Sequence, residues 1–402
     1  MKFAHIADCH IGSWREPKLR ESSTNAFVNA VEKCKEEKVD FVLIAGDLFN
    51  TSLPPVDNLR VVVKKLKELK DMGTPVYIIA GSHDFSPSNK TMIDVLDSAG
   101  LVVNVARGKV EENKLYLNFT VDAKTGAKIA GMIGKKGGLE KDYYESLARQ
   151  HLEKEAGYKI FMFHSAITEL KPKELEKMYS APVSLLPKGF DYYAGGHVHI
   201  VDKASIEGYK AIVFPGPLFP NSFSEVEKLQ NGGLYIVEGE AARYEPIVVN
   251  PVFTVRIDCS NKNPEDVEQE ISKAIKNKEF LNTIVTIRLW GQLKTGRPSD
   301  INFKDVFKKF YGKGAFFVMK NTNKLTSKEF EEVKVETGSV EEVEERLINE
   351  NAGQSGVFDA EEEKKKIKLL MSALATEKGE GENTADFEKR VKKEADSILD
   401  GG

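Results

Sequence analysis

Hydrophobic residues in the first half of the chain come in short runs. Phe3 to Ala7, Phe41 to Ala45, Val76 to Ala80, Ile160 to Phe163 and Tyr192 to Ala194 each end at polar residues or glycine. Runs of this kind predict parallel strands buried on both faces. Between the first of them the spacing becomes helical. Phe27, Ala30, Val31 and Cys34 predict a helix over 22–37, a second is predicted over 56–71 and a short third over 90–98. Strand and helix in alternation predict an α/β fold. Residues 115–121 and 127–133 predict a hairpin around Asp122-Ala123-Lys124-Thr125-Gly126. Alternating segments at 201–206, 210–214, 233–238 and 242–249 predict antiparallel strands.

Asn250-Pro251 marks a boundary. Beyond it, strands over 252–259, 283–290 and 315–320 and helices after Asn263-Pro264 and over 303–311 predict a small α+β module. The helix after Pro264 has Val267, Ile271, Ala274 and Ile275 as its apolar stripe. The rest is predicted as amphipathic helices. Ser339 and Glu342 form a capping box before Val340, Val343, Leu347 and Ile348. Ile367, Leu370, Met371 and Leu374 make a second stripe, and Phe387, Val391, Ala395 and Ile398 a third. Gly379-Glu380-Gly381-Glu382 reads as a flexible joint between the last two. The expected domains are therefore 1–249, 250–335 and 336–402.

Composition changes this picture little, and charge changes it more. Of 402 residues, 41% are hydrophobic and 30% charged, as in ordinary globular proteins. No apolar run approaches the ~20 residues of a membrane span. Met1-Lys2-Phe3 leads straight into a strand, and three cysteines show no zinc spacing; a cytoplasmic protein without a signal peptide is expected. The net charge of −4 conceals an asymmetry. Residues 283–325 carry nine Lys/Arg against Asp300 and Asp305, giving +7, whereas residues from 327 onward carry twelve basic and twenty-one acidic ones, giving −9. A basic module beside an acidic tail points to two different partners.

The candidate chemistry lies where the runs stop. Five of the seven histidines (10, 83, 164, 197 and 199) sit at strand ends, together with Asp8, Asp47 and Asp84. In open α/β sheets the carboxyl ends of strands bind ligands. Asp8 and His10 are two apart, as are His197 and His199, so on extended chain each pair leaves one face. Cys9 then turns to the opposite face and reads as packing. Imidazoles and carboxylates without thiolate suit Mn²⁺, Fe²⁺, Co²⁺ or Zn²⁺. Six such ligands exceed what one ion needs, whereas two ions ~4 Å apart with a bridging carboxylate would use them all. Asp47 is the candidate bridge.

These motifs are Asp8-Cys9-His10, Gly46-Asp47, Gly81-Ser82-His83-Asp84, His164 and Gly196-His197-Val198-His199. In this order they resemble the pattern of the calcineurin-like metallophosphoesterases. His5 to Gly12, Gly46-Asp47-Leu48-Phe49-Asn50 and Pro54-Pro55 resemble most the SbcD type of DNA double-strand-break repair nuclease, called the meiotic-recombination-eleven nuclease in archaea and eukaryotes. The resemblance implies a four-layer α-β-β-α sandwich, a capping domain and a helical tail. It implies an exonuclease and single-strand endonuclease working on DNA ends. It places Asp8, His10 and His199 on one metal and His164 and His197 on the other, with Asp47 bridging. His83, steadied by Asp84, would act on the scissile phosphate or protonate the leaving oxygen. Two manganese ions per chain, a homodimer, and an SMC-like ATPase of the SbcC type gripping the tail helices are also implied.

Ser82 departs from the pattern, which has an asparagine ligand there. A neutral hydroxyl is a poor ligand, so a weakened second site is expected, and a weakly active or non-catalytic scaffold subunit is the alternative. A rival is a phosphomonoesterase or phosphodiesterase of small molecules. Protein-phosphatase members usually follow Gly-Asp with valine-aspartate-arginine, where this chain has Leu48-Phe49-Asn50. The +7 module favours a polyanion.

Overall fold

The structure is a computed structural model describing residues 1–135, 141–328, 344–345, 348–349, 352, 358–376 and 384–400. They belong to two compact units, Met1–Ser327 and Lys328–Gly402.

The first unit opens with β1 (Lys2–Ile6), β2 (Phe41–Ala45), β3 (Val76–Ile79) and β4 (Val103–Asn104), paired in parallel in that order. Helices α1 (Pro17–Glu36), α2 (Val56–Asp71) and α3 (Met92–Ser98) connect them. Every residue of β2 and β3 is buried, as unbroken apolar runs require. A hairpin of β5 (Gly108–Glu111) and β6 (Lys114–Leu117) leads to the second sheet. Its strands are β7 (Thr120–Val121), β8 (Lys128–Gly131), β9 (Lys159–His164), β10 (Tyr192–Gly196), β11 (Asp202–Ile206) and β12 (Tyr209–Phe214), in the order β11-β12-β10-β9-β8-β7. Two short helices, α4 (Lys141–Ser146) and α5 (Gln150–Lys154), precede β9. After α6 (Phe223–Leu229), β13 (Gly232–Glu238) returns to the first sheet antiparallel to β1, and β14 (Ala241–Ile247) closes that edge.

Three apolar layers hold this together. Phe3, Phe41, Leu43 and Ile79 of the first sheet meet Ile129, Ile160, Met162 and Tyr192 of the second. The opposite face of the first sheet, with Ile6, Val42 and Ile44, packs on Phe27, Val31 and Leu66 of α1 and α2. The opposite face of the second, with Phe161, Phe163 and Tyr193, is covered by Tyr144, Leu152 and Leu186. The expected four-layer α-β-β-α sandwich is the observed one.

The expected 115–121/127–133 hairpin is divided. Glu112 and Asn113 both take positive φ (46° and 59°), the conformation of a tight two-residue hairpin turn, so β6 pairs with β5. Only Thr120 and Val121 remain for the Asp122 turn.

Beyond Asn250, β15 (Val252–Asp258), β16 (Ile284–Leu293) and β17 (Phe317–Ser327) form a parallel sheet with α7 (Pro264–Ile275) and α8 (Phe303–Tyr311). Asn263 caps α7 through a reciprocal bond with Asp266, and Pro264 takes the first turn. The module packs on the first sheet's helical side, where Ile284 joins that core and Asn250 accepts from Ser22 Oγ at 2.8 Å. In the second unit, α9 (Ala360–Leu374) and α10 (Thr384–Asp400) carry the second and third predicted stripes. Lys366 of α9 is buried and donates to the Ile398 and Leu399 carbonyls, at 2.9 and 3.1 Å, closing the end of α10. The capping box at Ser339 and Glu342 and the joint at 379–382 lie outside the described residues.

Candidate metal centre

The site forms where β1, β2, β3, β9 and β10 end. Asp8 and His10 follow β1, Asp47 follows β2, Ser82, His83 and Asp84 follow β3, His164 ends β9, and His197 and His199 follow β10. The pairs two residues apart do not leave a common strand face. Asp8, His10, Asp47, His197 and His199 take positive φ, at 50°, 40°, 50°, 93° and 49°. Left-handed turns, uncommon for any residue but glycine, aim these side chains inward. Cys9 is buried in the core on the α1 side of the first sheet, as expected, but through that turn and not through alternation. A Cβ on Gly46 (φ +87°) would collide with the His164 ring, and one on Gly81 with the Asp47 carboxylate.

Among the described residues three triads of ligand atoms result, each with its atoms within 4.8 Å of one another: Asp8, His10 and His199; Asp8, Asp47 and His164; His10, Asp47 and His83. His10 Nε2 is 3.0 Å from His199 Nε2 and 3.6 Å from Asp47 Oδ2. His164 Nε2 is 3.2 Å from Asp47 Oδ2. His197 belongs to none of these triads; its ring meets that of His164 edge-on at 5.1 Å, and its amide donates to both Asp8 oxygens at 3.0 Å. Ser82 Oγ lies 3.5 Å from Asp47 Oδ2, and the His83 amide donates to Asp47 Oδ1 at 2.7 Å. The His83 ring donates Nδ1–H to the Asn50 carbonyl at 2.9 Å and stands edge-on to His10 at 4.8 Å. Support for His83 thus comes from Asn50 where Asp84 was expected. Asp84 accepts from the Gly81 and Phe49 amides, at 2.9 and 3.3 Å, and braces the loop instead.

A sequence profile of the calcineurin-like phosphoesterases matches residues 1–201, half of the chain. The chain belongs to that family. Its relatives include the DNA double-strand break repair protein Mre11 of Archaeoglobus fulgidus, 28% identical over 307 residues, with 71% of this chain and 65% of the relative covered. The protein of the same name from Methanopyrus kandleri is 27% identical over 296 residues, covering 71% and 64%. That of Methanococcus maripaludis is 25% identical over 291 residues, covering 68% and 73%. The alignments thus span under two thirds of the first two relatives' length.

In this calcineurin-like phosphoesterase, charges and tautomers fit divalent cations. Burial, the largest single influence on His164, opposes its protonation, but the charge and hydrogen bond of Asp47, the Asp8 charge and the Ala45 carbonyl together outweigh it and push the imidazole up to about 10. The same pairing holds Asp47 well below the usual carboxylate range despite its burial. Burial raises the Asp8 carboxyl and pulls His197 down to about 4. Burial and the Asp47 charge push Asp84 up to about 7. His164 donates Nδ1–H to the Ala45 carbonyl at 2.8 Å, so Nε2 faces Asp47, where it holds a proton without metal and would offer a lone pair once an ion displaces that proton. His199 engages Glu225 Oε1 through Nδ1 at 3.2 Å and so turns Nε2 toward His10 Nε2. Acceptors opposed at such distances need a proton or a cation between them. Asp8, His10, Asp47, His164 and His199 supply that place, without thiolate.

Glu225 escaped the sequence reading. Ser222 and Glu225 show the spacing of a helix start, and Ser222 does cap α6, but no local pattern says that the carboxylate reaches His199.

Proposed function

We propose that the chain is a divalent-metal-dependent DNA nuclease acting in double-strand break repair. The observation that carries this reading is the gathering of Asp8, His10, Asp47, His164 and His199 in overlapping triads of ligand atoms, with the His83 ring beside them. The names of the relatives and the basic module support DNA as the substrate.

In this reading Asp8, His10 and His199 would hold one ion and His164 and His197 the other, with Asp47 available to both. Bound ions would polarise the scissile phosphate and acidify a water. His83 would act as the imidazolium, keeping Nδ1–H on the Asn50 carbonyl throughout, giving the Nε2 proton to the leaving oxygen and ending as the neutral Nδ1–H ring. The ions are manganese, and two chains act together. The proposed division is 1–249 for hydrolysis, 250–335 for capping DNA and 336–402 for an SMC-like ATPase.

The test is cleavage of linear duplex and hairpin DNA, with exonuclease and endonuclease products scored separately. Mn²⁺ and then Mg²⁺ are supplied, with Asp8→Ala as control. Mn²⁺-dependent cleavage that the variant lacks is expected. Ser82 favours a second reading, a weakly active scaffold, because its hydroxyl stands beside Asp47 where the resemblance calls for a stronger ligand. DNA and Mn²⁺ bound without cleavage would establish that reading and remove the first.

A further inference from the structure

Helix α6 is seven residues long and carries two glutamates that serve different parts of the molecule. Residues two apart on a helix point roughly 200° apart, so Glu225 and Glu227 occupy opposite sides. On one side, Glu225 Oε1 accepts from His199 Nδ1 at 3.2 Å. Its other oxygen accepts from the Asn221 amide at 2.8 Å, and its own amide donates to Ser222 Oγ at 3.2 Å. Both oxygens are committed, and the carboxylate cannot turn without breaking the helix start.

On the other side, Glu227 is 8% exposed and belongs to the small module's grip. Arg288 of β16 places Nε 2.6 Å and Nη2 2.5 Å from Glu227 Oε2. Arg256 of β15 lies 3.6 Å from Oε1. Arg288 also donates to Ser224 Oγ at 3.3 Å and covers the Phe223 ring at 5.0 Å. One arginine therefore touches three residues of α6, and a second arginine backs it. A carboxylate buried to this degree needs those cations, since an unpaired charge there is costly. Arg288 is one of the nine basic residues of the +7 segment, yet its charge is turned inward.

We infer that Glu225 is a positioning residue for His199, and that the small module sets its station through the arginine clamp on Glu227. Glu225 fixes the His199 tautomer with hydrogen on Nδ1 and leaves Nε2 for the ion. A carboxylate behind a histidine ligand typically contributes 10–100-fold to metal affinity. Here that carboxylate rides on a helix whose far side is held by another sheet. A shift of β16 moves Arg288, then α6, then Glu225, and so changes how the His199 ring meets the ion. The inference rests on the metal-centre part of the proposed function and on none of the DNA part.

The experiment is calorimetric titration of the full chain with Mn²⁺ alone, beside melting curves without metal and nitrogen resonances of the His199 ring. Glu225→Ala is expected to weaken Mn²⁺ binding about 10–100-fold, to leave the metal-free melting temperature within a few degrees and to release the His199 tautomer. Glu225→Asp should recover part of the affinity. Glu227→Gln, which touches no ligand, should weaken binding less and in the same direction. The double variant should bind no worse than Glu225→Ala, because both act along one line. Arg288→Lys, which keeps the charge but loses the fork, supplies the same reading if Glu227→Gln fails to fold. Wild-type binding in Glu225→Ala would overturn the positioning role. Unchanged binding in Glu227→Gln, or full additivity in the double variant, would overturn the clamp. Since no DNA is present, these outcomes are independent of whether the chain cuts DNA.

Discussion

His83 and His164 show how a single carbonyl assigns work to an imidazole. Each donates Nδ1–H to a backbone oxygen, that of Asn50 or Ala45, so each presents Nε2 to the centre. Their surroundings then separate them. His164 is buried against Asp47, whereas His83 borders an open cleft of about 530 Å³ that also contains Asn50, Phe85 and Lys135. His83→Ala should therefore retain its metal and lose turnover by 10²–10⁴-fold, measured as bound Mn²⁺ and initial cleavage rate. Loss of metal as well would make His83 a ligand. For His164 the expectation concerns pH. Its pKa of about 10 lies above the ordinary 6.5, so the metal-free site holds a proton at neutral pH that an ion must displace. Mn²⁺ affinity should rise by at least about tenfold per pH unit between pH 6.5 and 8.5, with one proton from His164 and any carried by His199, which is also raised, released in calorimetry across buffers. A flat profile would contradict this. The identities of these residues were legible because few side chains bind metals. Their aim was not, because it depends on left-handed turns at Asp8, His10, Asp47, His197 and His199, which polar pattern does not encode.

Among the elements, α8 has the bounds that its sequence predicts, and its two faces explain why. Phe303, Val306 and Phe310 are buried while Lys304, Lys308 and Lys309 are exposed, a clean helical stripe. Reversing the three lysines to glutamate should weaken DNA binding and lower its salt slope by about one for each phosphate no longer neutralised. Lys309 also donates to Ser272 Oγ at 2.9 Å, so its share of that drop should be the smallest of the three. An unchanged slope in a salt titration would mark the face as merely solvated. Helix α1, by contrast, starts at Pro17 and not at 22. Its first turns look polar, yet Ser22 and Ser23 are buried, one bonded to Asn250 and the other to the Arg20 carbonyl. A serine that finds a partner counts as core, and periodicity cannot see the partner. The divided hairpin has a similar cause: both pairings suit the apolar pattern, and the two-residue turn at Glu112-Asn113 decides between them.

At the scale of the molecule, alternation identified β11 to β14 as antiparallel strands but could not say that β11 and β12 join one sheet and β13 and β14 the other. That assignment matters, because α6, with Glu225, lies on the crossing between them. Residues Met1–Ser327 and Lys328–Gly402 form separate compact units, so deleting residues 339–400 should leave the melting transition of the first unit in place. If the tail serves the proposed SMC-like ATPase, the same deletion should abolish co-purification with such an ATPase; a lost transition would instead make the tail part of the first unit's core. The left-handed turns at the centre have a bearing on heat. Backbone held in that region costs about 1–3 kcal/mol per residue, and several such costs fall within a few ångströms of one another. An ion that binds only the folded chain offsets them, by about 2.7 kcal/mol when supplied at a hundred times its dissociation constant. The temperature this protein withstands would then track the metal supply around it, and under metal starvation the rim of the two sheets would be the first part to soften.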